Sequence, residues 1–91
     1  WHKLSKNEML HFYDGDPMLL LLSKDKINTS KIILGRKIDD GQNFYYLVKA
    51  ETWFSMRSLG KWSLIGCTVA PAFNFSDFEL APKNWKPGNN L

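Results

Sequence analysis

The segment WHKLSKNEMLHFYDGDP, residues 1–17, decides the fold class. Its polar and apolar side chains alternate with the period of two that is typical of a β-strand, most clearly from Glu8 to Tyr13. The sequence Asp14-Gly15-Asp16-Pro17 then predicts a turn, because glycine tolerates a positive φ and proline fixes φ. The segment therefore predicts an extended strand that ends in a tight turn.

The rest of the chain repeats this pattern of short extended segments separated by turn residues. We predict further strands over 18–23, 30–34, 44–48, 53–57 and 62–70, a polar loop over 35–43, and a last extended piece around 73–78. Strands that recur about every 8–12 residues indicate a β-sandwich or barrel. No segment has the periodicity of a helix longer than one turn, so the predicted fold class is all-β.

Composition and charge limit the classes of partner. The 91 residues are 44% hydrophobic and 23% charged, which is typical of one globular domain. The net charge of +3 comes from scattered lysines, so we expect no nucleic-acid partner. The apolar run Met18–Leu22 is too short to span a bilayer, and we expect no membrane association. The lone Cys67 cannot form an intrachain disulfide, which favours a reducing compartment and predicts a cytoplasmic protein.

Two residues near the start of the chain are candidates for chemistry. His2 has an ordinary pKa near 6.5, which suits a general base at neutral pH, so we consider it as a catalytic residue. Glu8 supplies a carboxyl group on the neighbouring strand. Tyrosines that could act as a partner acid are present, but nothing in their spacing directs one of them toward His2.

Other candidates would line a ligand pocket. Phe12 and Trp53 belong to an aromatic set that could contact a flat or sugar-like ligand. Strand alternation places Cys67 on an apolar stripe, where we expect a small buried side chain, and places Thr68 on the other face, where it could make a polar contact with a ligand. The predicted ligand-binding set is His2, Glu8, Phe12, Trp53 and Thr68.

Two long segments resemble the Cupin_5 group of the cupin superfamily, whose members are uncharacterised and often described as sugar-epimerase-like. They are WHKLSKNEMLHFYDGDPMLLLL, residues 1–22, and SLIGCTVAPAFNFSDFELA, residues 63–81. The resemblance implies a double-stranded β-helix, the cupin jelly-roll barrel, over residues 1–81, with a cavity at its mouth and a homodimeric assembly. It also implies strands before Trp1, so the chain looks like an N-terminally truncated member. We predict that the Pro-, Gly- and Asn-rich residues 82–91 form a flexible tail.

The resemblance also identifies what has changed at the metal-binding positions of cupins. His2, Glu8 and Gly15 match the first cupin motif, but Leu4 stands where that motif has a second histidine. Phe54 stands where the second motif has its last metal-binding histidine. A divalent metal needs three or four N/O donors, so the altered motif predicts no metal and no cofactor. By position, His2 is also similar to the catalytic base of dTDP-sugar epimerases.

These observations favour a metal-free domain that binds a small molecule related to a carbohydrate or a nucleotide. The first alternative is an isomerase, of the sugar or nucleotide-sugar epimerase type, that uses His2 as general base. The second alternative is a non-catalytic structural or dimerisation module, which would need no cavity of useful volume. Whether the protein is an enzyme is left open by the sequence.

Overall fold

A computed structural model describes residues 1–89 and shows an all-β chain, which confirms the predicted fold class. The strands are β1 (His2–Leu4), β2 (Asn7–Gly15), β3 (Met18–Ser23), β4 (Ser30–Leu34), β5 (Tyr45–Val48), β6 (Trp53–Ser58), β7 (Ser63–Ala70) and β8 (Phe78–Leu80). Single 3-10 turns span Ile38–Asp40 and Phe75–Asp77. Among the described residues, no helix is long and apolar enough to cross a membrane.

The strands form two antiparallel sheets. The five-stranded sheet has the order β4-β3-β6-β1-β8, and the three-stranded sheet has the order β5-β2-β7. Strands that are neighbours in a sheet are often distant in sequence, as with β1 and β8, in which Leu4 lies opposite Phe78. This arrangement of two antiparallel sheets agrees with the jelly-roll architecture that the resemblance implies.

The main core lies between the two sheets and is built by strand alternation. On β2, Leu10 and Phe12 are buried, whereas His11 between them is only partly buried and Tyr13 is exposed. The buried core residues come from both sheets: Leu10, Phe12, Leu20, Leu22, Leu34, Val48 and Phe54. Burying a side chain of this size contributes about 1.5–3 kcal/mol, so the core fixes which face of each strand points inward.

The predicted turn after β2 is present and depends on Gly15. Its φ is +90°, in the left-handed region that favours glycine. A Cβ atom at this position would lie 2.6 Å from the backbone oxygen of Trp62, so a larger residue has no space. Asp16 stabilises the turn between β6 and β7, which faces Gly15, because its carboxylate accepts a hydrogen bond of 2.8 Å from the Lys61 N–H. The close approach of two backbones therefore requires glycine here.

One segment near the C-terminus differs from the sequence prediction, and the segment after it packs against the sheet in its described part. The extended piece expected around 73–78 begins only at Phe78, because Asn74 caps a 3-10 turn and accepts a hydrogen bond of 3.0 Å from the Ser76 N–H. The tail expected over 82–91 is folded in its described part. Trp85 is only 6% exposed and packs beside Trp53. Residues 90 and 91 of the predicted tail lie outside the described residues.

Trp85 completes a second, smaller apolar cluster on the outer face of the five-stranded sheet. Its ring centroid lies 5.2 Å from that of Trp53 and 5.8 Å from that of Trp1. The Gly88 N–H donates a hydrogen bond to the carbonyl oxygen of Lys26, which ties the tail to the β3–β4 connection. The Pro/Gly/Asn composition predicts flexibility, but one buried indole is enough to anchor the segment.

We expect Trp85→Ala to lower the free energy of unfolding by about 3 kcal/mol, because the substitution removes a buried indole and leaves a cavity beside Trp53. Urea unfolding followed by far-UV circular dichroism measures the change. The control is Lys83→Ala, which removes an exposed side chain from the same segment and is expected to change the stability little. Equal stability of the two variants would contradict a folded tail.

Candidate functional site

A cavity of about 410 Å³ lies between the two sheets, where β1 and β8 of one sheet face β2 and β7 of the other. It is lined by His2, Leu4, Glu8, Cys67, Val69, Phe73 and Phe78. Two of the five side chains predicted to bind a ligand, His2 and Glu8, are brought together here from different sheets. Since Phe73 and Phe78 are partly exposed at 44% and 41%, the cavity is open to solvent on their side.

Strand pairing positions His2 and the apolar groups around it. His2 on β1 lies opposite Phe54 on β6, and their ring centroids are 4.1 Å apart. On the other side of β1, the ring of Phe78 from β8 stacks on the imidazole ring of His2, and the two ring centroids are 5.4 Å apart. Leu4 follows His2 on the same face of β1 and is buried. Leu4 and Phe54, which the resemblance places at histidine positions of the cupin motifs, therefore lie beside His2.

An ion pair holds the loop that supplies Phe73. The Lys6 Nζ lies 2.8 Å from the Asp77 Oδ2 and also donates a hydrogen bond of 2.8 Å to the Ala72 carbonyl oxygen. The Ser5 hydroxyl donates to the other oxygen of Asp77, also at 2.8 Å. These donors, Lys6 first, lower the pKa of Asp77. The connection between β1 and β2 thus fixes the loop that forms one wall of the cavity.

Glu8 is the polar group buried most deeply in the cavity wall. Only 7% of the residue is exposed, and its Oε1 has no hydrogen-bond partner among the described residues. Burial raises the pKa of Glu8, and a hydrogen bond from the Cys67 thiol works in the opposite direction. A buried polar atom without a partner lowers the stability of the fold by about 1–3 kcal/mol. A ligand that offered Glu8 a hydrogen bond or a counter-charge would remove this cost.

His2 and Glu8 are shifted in opposite directions by the same environment. Burial lowers the pKa of His2, which favours the neutral imidazole, and raises the pKa of Glu8, which favours the neutral carboxyl. A neutral imidazole can accept a proton and a neutral carboxyl can donate one. The pKa of His2 starts above that of Glu8, so the two shifts bring the pKa values closer together. Titratable groups with perturbed pKa values in one cavity are candidates for a functional site.

The structure corrects the expectation for Cys67, which is exposed rather than buried. It lies on the inner face of β7, opposite Leu10 of β2, and lines the cavity next to Glu8. The thiol is nevertheless partly shielded from solvent by the cavity wall, and this desolvation, the hydrogen bond to Glu8 and the negative charge of Glu8 raise the pKa of Cys67 to about 11. A thiol with this pKa is not a nucleophile near neutral pH, so Cys67 forms part of the wall.

The other predicted ligand-binding residues lie away from the cavity. Phe12 is buried in the main core, and Trp53 is buried on the outer face of the five-stranded sheet with Trp85. Thr68 is exposed on the outer face of the three-stranded sheet, where its Oγ1 lies 3.4 Å from the Nε2 of His11. The geometry therefore leaves His2 and Glu8 as the predicted residues that share a site.

Sequence reasoning missed Phe73 and Phe78 as parts of the site and misjudged Cys67. Alternation along β7 already places Ile65, Cys67 and Val69 on one face, so this signal was available for Cys67. No local pattern reveals that the loop containing Phe73 folds back over β1, since the contact depends on Lys6 and Asp77, which are distant in sequence.

The donor set of the cavity does not fit a divalent metal ion. Leu4 and Phe54 offer no lone pair to a metal. Within residues 1–89, no three side chains of His, Cys, Asp or Glu are grouped closely enough to hold an ion. The two remaining oxygen and nitrogen donors, Glu8 and His2, are fewer than the three or four that a metal site requires.

A second cavity, of about 440 Å³, lies at the β3–β4 connection and contains none of the predicted site residues. Its carboxylate, Asp25, accepts hydrogen bonds from the backbone N–H groups of Asn28 and Ile27, at 2.8 and 2.9 Å. These bonds lower the pKa of Asp25 to about 2. Because this carboxylate is already used to build the turn, we place the candidate site at His2 and Glu8.

We expect Glu8→Gln to be more stable than the natural protein by about 1 kcal/mol near pH 8, and equally stable near pH 4. The folded pKa of Glu8 is raised, so the cost of burying its charge is absent below its ordinary pKa of 4.5 and present above the folded pKa. Urea unfolding at both pH values measures the difference. Glu79→Gln, at an exposed position on β8, controls for the loss of a negative charge. A less stable Glu8→Gln variant near pH 8 would contradict this reading.

Comparison with known proteins agrees with this architecture. Residues 1–81 match the family described as Cupin_5, Cupin superfamily (DUF985). A crystal structure of a protein from Shewanella oneidensis is similar with 30% identity and a TM-score of 0.83, over 88% of this chain and 51% of that chain. A hypothetical protein from Leishmania major, 23% identical, has the same fold with a TM-score of 0.81, over 92% of this chain and 57% of that chain.

The chain thus spans little more than half the length of each of these two structures. No protein of curated function matches the sequence. Because the family match extends from Trp1 to Ala81 and the structural neighbours share the two-sheet fold, the chain belongs to the Cupin_5 family of the cupin superfamily.

Proposed function

We propose that this domain binds a small organic molecule, related to a carbohydrate or a nucleotide, in the cavity between β1, β2, β7 and β8, without a metal ion. The observation that carries the proposal is Glu8, which lines the cavity and whose buried Oε1 has no hydrogen-bond partner among the described residues. Concave sites with apolar walls and a few convergent polar groups are typical of small-molecule binding.

The walls of the cavity support a ligand with a ring. Phe73 and Phe78 supply exposed aromatic surface at the rim, and Leu4 and Val69 supply aliphatic surface. His2 and Glu8 supply the polar contacts from opposite sheets. A volume of about 410 Å³ is within the range of about 300–1,000 Å³ that is common for small-molecule pockets.

We expect Cys67→Phe to abolish ligand binding, because the larger side chain fills the cavity. Saturation-transfer difference NMR with a panel of free monosaccharides and nucleotide sugars measures binding to the natural protein and to the variant. Leu64→Phe places the same side chain on the same strand at an exposed position outside the cavity, and this control should retain binding. If no member of the panel binds the natural protein, or if Cys67→Phe leaves binding unchanged, the proposed site is wrong.

A second candidate function, isomerisation of a sugar or nucleotide sugar, is favoured by the opposed positions of His2 and Glu8. His2 and Glu8 line the same cavity from different sheets, so a ligand bound there could contact both groups. With His2 as general base, Glu8 in its protonated form would supply the proton donor, a role that the spacing of the sequence assigns to no tyrosine. Removal of a proton from one face and its return on the other inverts a carbon centre.

If this alternative is correct, we expect His2→Asn to abolish turnover on a nucleotide-sugar panel while the melting temperature stays nearly unchanged, since asparagine keeps a polar side chain but cannot act as the base. Incorporation of deuterium from the solvent into the sugar, followed by NMR, measures turnover. Lys3→Asn changes the adjacent residue on the opposite face of β1 and serves as the control. Exchange that persists in His2→Asn would rule out this role.

The remaining alternative, a purely structural or dimerisation module, predicts that no cavity of useful volume is present. The cavity beside His2 and Glu8 argues against this as the only role. A homodimer is compatible with ligand binding, and we retain it as an expectation from the family resemblance.

A further inference from the structure

The environment of Glu8 distinguishes ligands by charge. Its Oε1 is buried and without a hydrogen-bond partner among the described residues, and the residue lines the cavity. Among residues 1–89, no lysine and no arginine lines the cavity. An anion placed here would meet a carboxyl group and find no fixed positive charge, whereas a cation would supply the partner that Glu8 lacks.

The protein's own nearby cations are held elsewhere. Lys6 forms its ion pair with Asp77 at 2.8 Å, outside the cavity lining. Lys3 points to the other face of β1, where its Nζ lies 3.1 Å from Glu51 and 5.3 Å from the ring centroid of Trp53. Neither ammonium group is paired with Glu8, so a bound organic cation would supply a counter-charge that these two lysines do not provide.

Aromatic rings surround the same space. Phe73 and Phe78 line the cavity on the solvent side, and Phe78 stacks on the His2 ring at 5.4 Å. Aromatic faces attract cations, by about 0.5–1 kcal/mol at exposed sites and by about 2 kcal/mol or more when the cation is desolvated. A carboxyl group at the base of a cavity with phenyl rings at its rim is the combination that recognises an organic ammonium group.

We propose that the ligand of this cavity is an organic cation with an amino group, which pairs with the Glu8 carboxylate while its apolar part contacts Phe73 and Phe78. This inference rests on the proposed small-molecule function and narrows its ligand class to amino-bearing compounds, such as an amino-substituted sugar. Glu8 is then the residue that determines specificity for charge.

Three probes of similar size and different charge test this proposal: benzylammonium, benzyl alcohol and benzoate. Isothermal titration calorimetry near pH 8 measures the affinity of the natural protein for each. We expect benzylammonium to bind roughly ten- to a hundredfold more tightly than benzyl alcohol, and benzoate to bind most weakly, because a hydrogen bond to a charged group is stronger than one to a neutral group.

The variant Glu8→Gln then tests whether Glu8 is responsible. We expect it to lose roughly ten- to a hundredfold in affinity for benzylammonium and to keep its affinity for benzyl alcohol. Glu79→Gln removes an exposed negative charge and should bind all three probes like the natural protein. Should Glu8→Gln fail to fold, the order of the three probes on the natural protein decides the proposal without it.

The outcomes separate this proposal from the more general one. Equal binding of benzyl alcohol and benzylammonium, or tighter binding of benzoate, overturns the cation proposal while the cavity remains a ligand site. Failure of all three probes, together with retained binding of a neutral sugar or nucleotide sugar, overturns the cation proposal alone. Failure of the probes and of the whole sugar panel overturns both.

Discussion

The register of β2 within the three-stranded sheet is the constraint on which the rest of the structure depends. Glu8, Leu10 and Phe12 share one face of β2, and the burial of the two apolar side chains between the sheets places the carboxyl group of Glu8 inside as well. A shift of one residue would turn His11 inward and Glu8 outward. The favourable free energy of burying the apolar core thus offsets the cost of burying the unpaired carboxyl group of Glu8. The unusual chemistry of the cavity therefore follows from ordinary hydrophobic packing.

The same register determines what the cavity can do. Pairing with β7 brings Cys67 and Val69 beside Glu8, and the pairing of β1 with β6 and β8 brings His2 between Phe54 and Phe78. According to the resemblance, the alkyl group of Leu4 and the aryl group of Phe54 occupy positions where other cupins have metal-binding side chains. Loss of the donors leaves a less polar site, and this is the environment that pushes the pKa values of the remaining histidine and glutamate in opposite directions.

Most of the fold was predictable from local pattern, but only part of the site was. Alternation with turn residues locates the strands from β2 to β7, because each strand has one apolar face. Alternation does not reveal where a cavity forms between the two sheets. Trp53 and Thr68 were therefore predicted to bind a ligand, although they lie on the outer faces of their sheets and the cavity lies between the inner faces. Phe73 depends on the long-range pair of Lys6 and Asp77, and the folded tail depends on Trp85, so neither has a local signal.

The indole cluster of Trp1, Trp53 and Trp85 has a consequence for optical experiments. Three of the four tryptophans of the chain lie together behind the five-stranded sheet, separated from the cavity by the sheet itself. Their emission reports whether the C-terminal segment is docked, since undocking would expose all three rings to water and shift the spectrum to longer wavelength. A small molecule that enters between His2 and Glu8 touches none of them, so intrinsic fluorescence is a poor detector of occupancy in this protein.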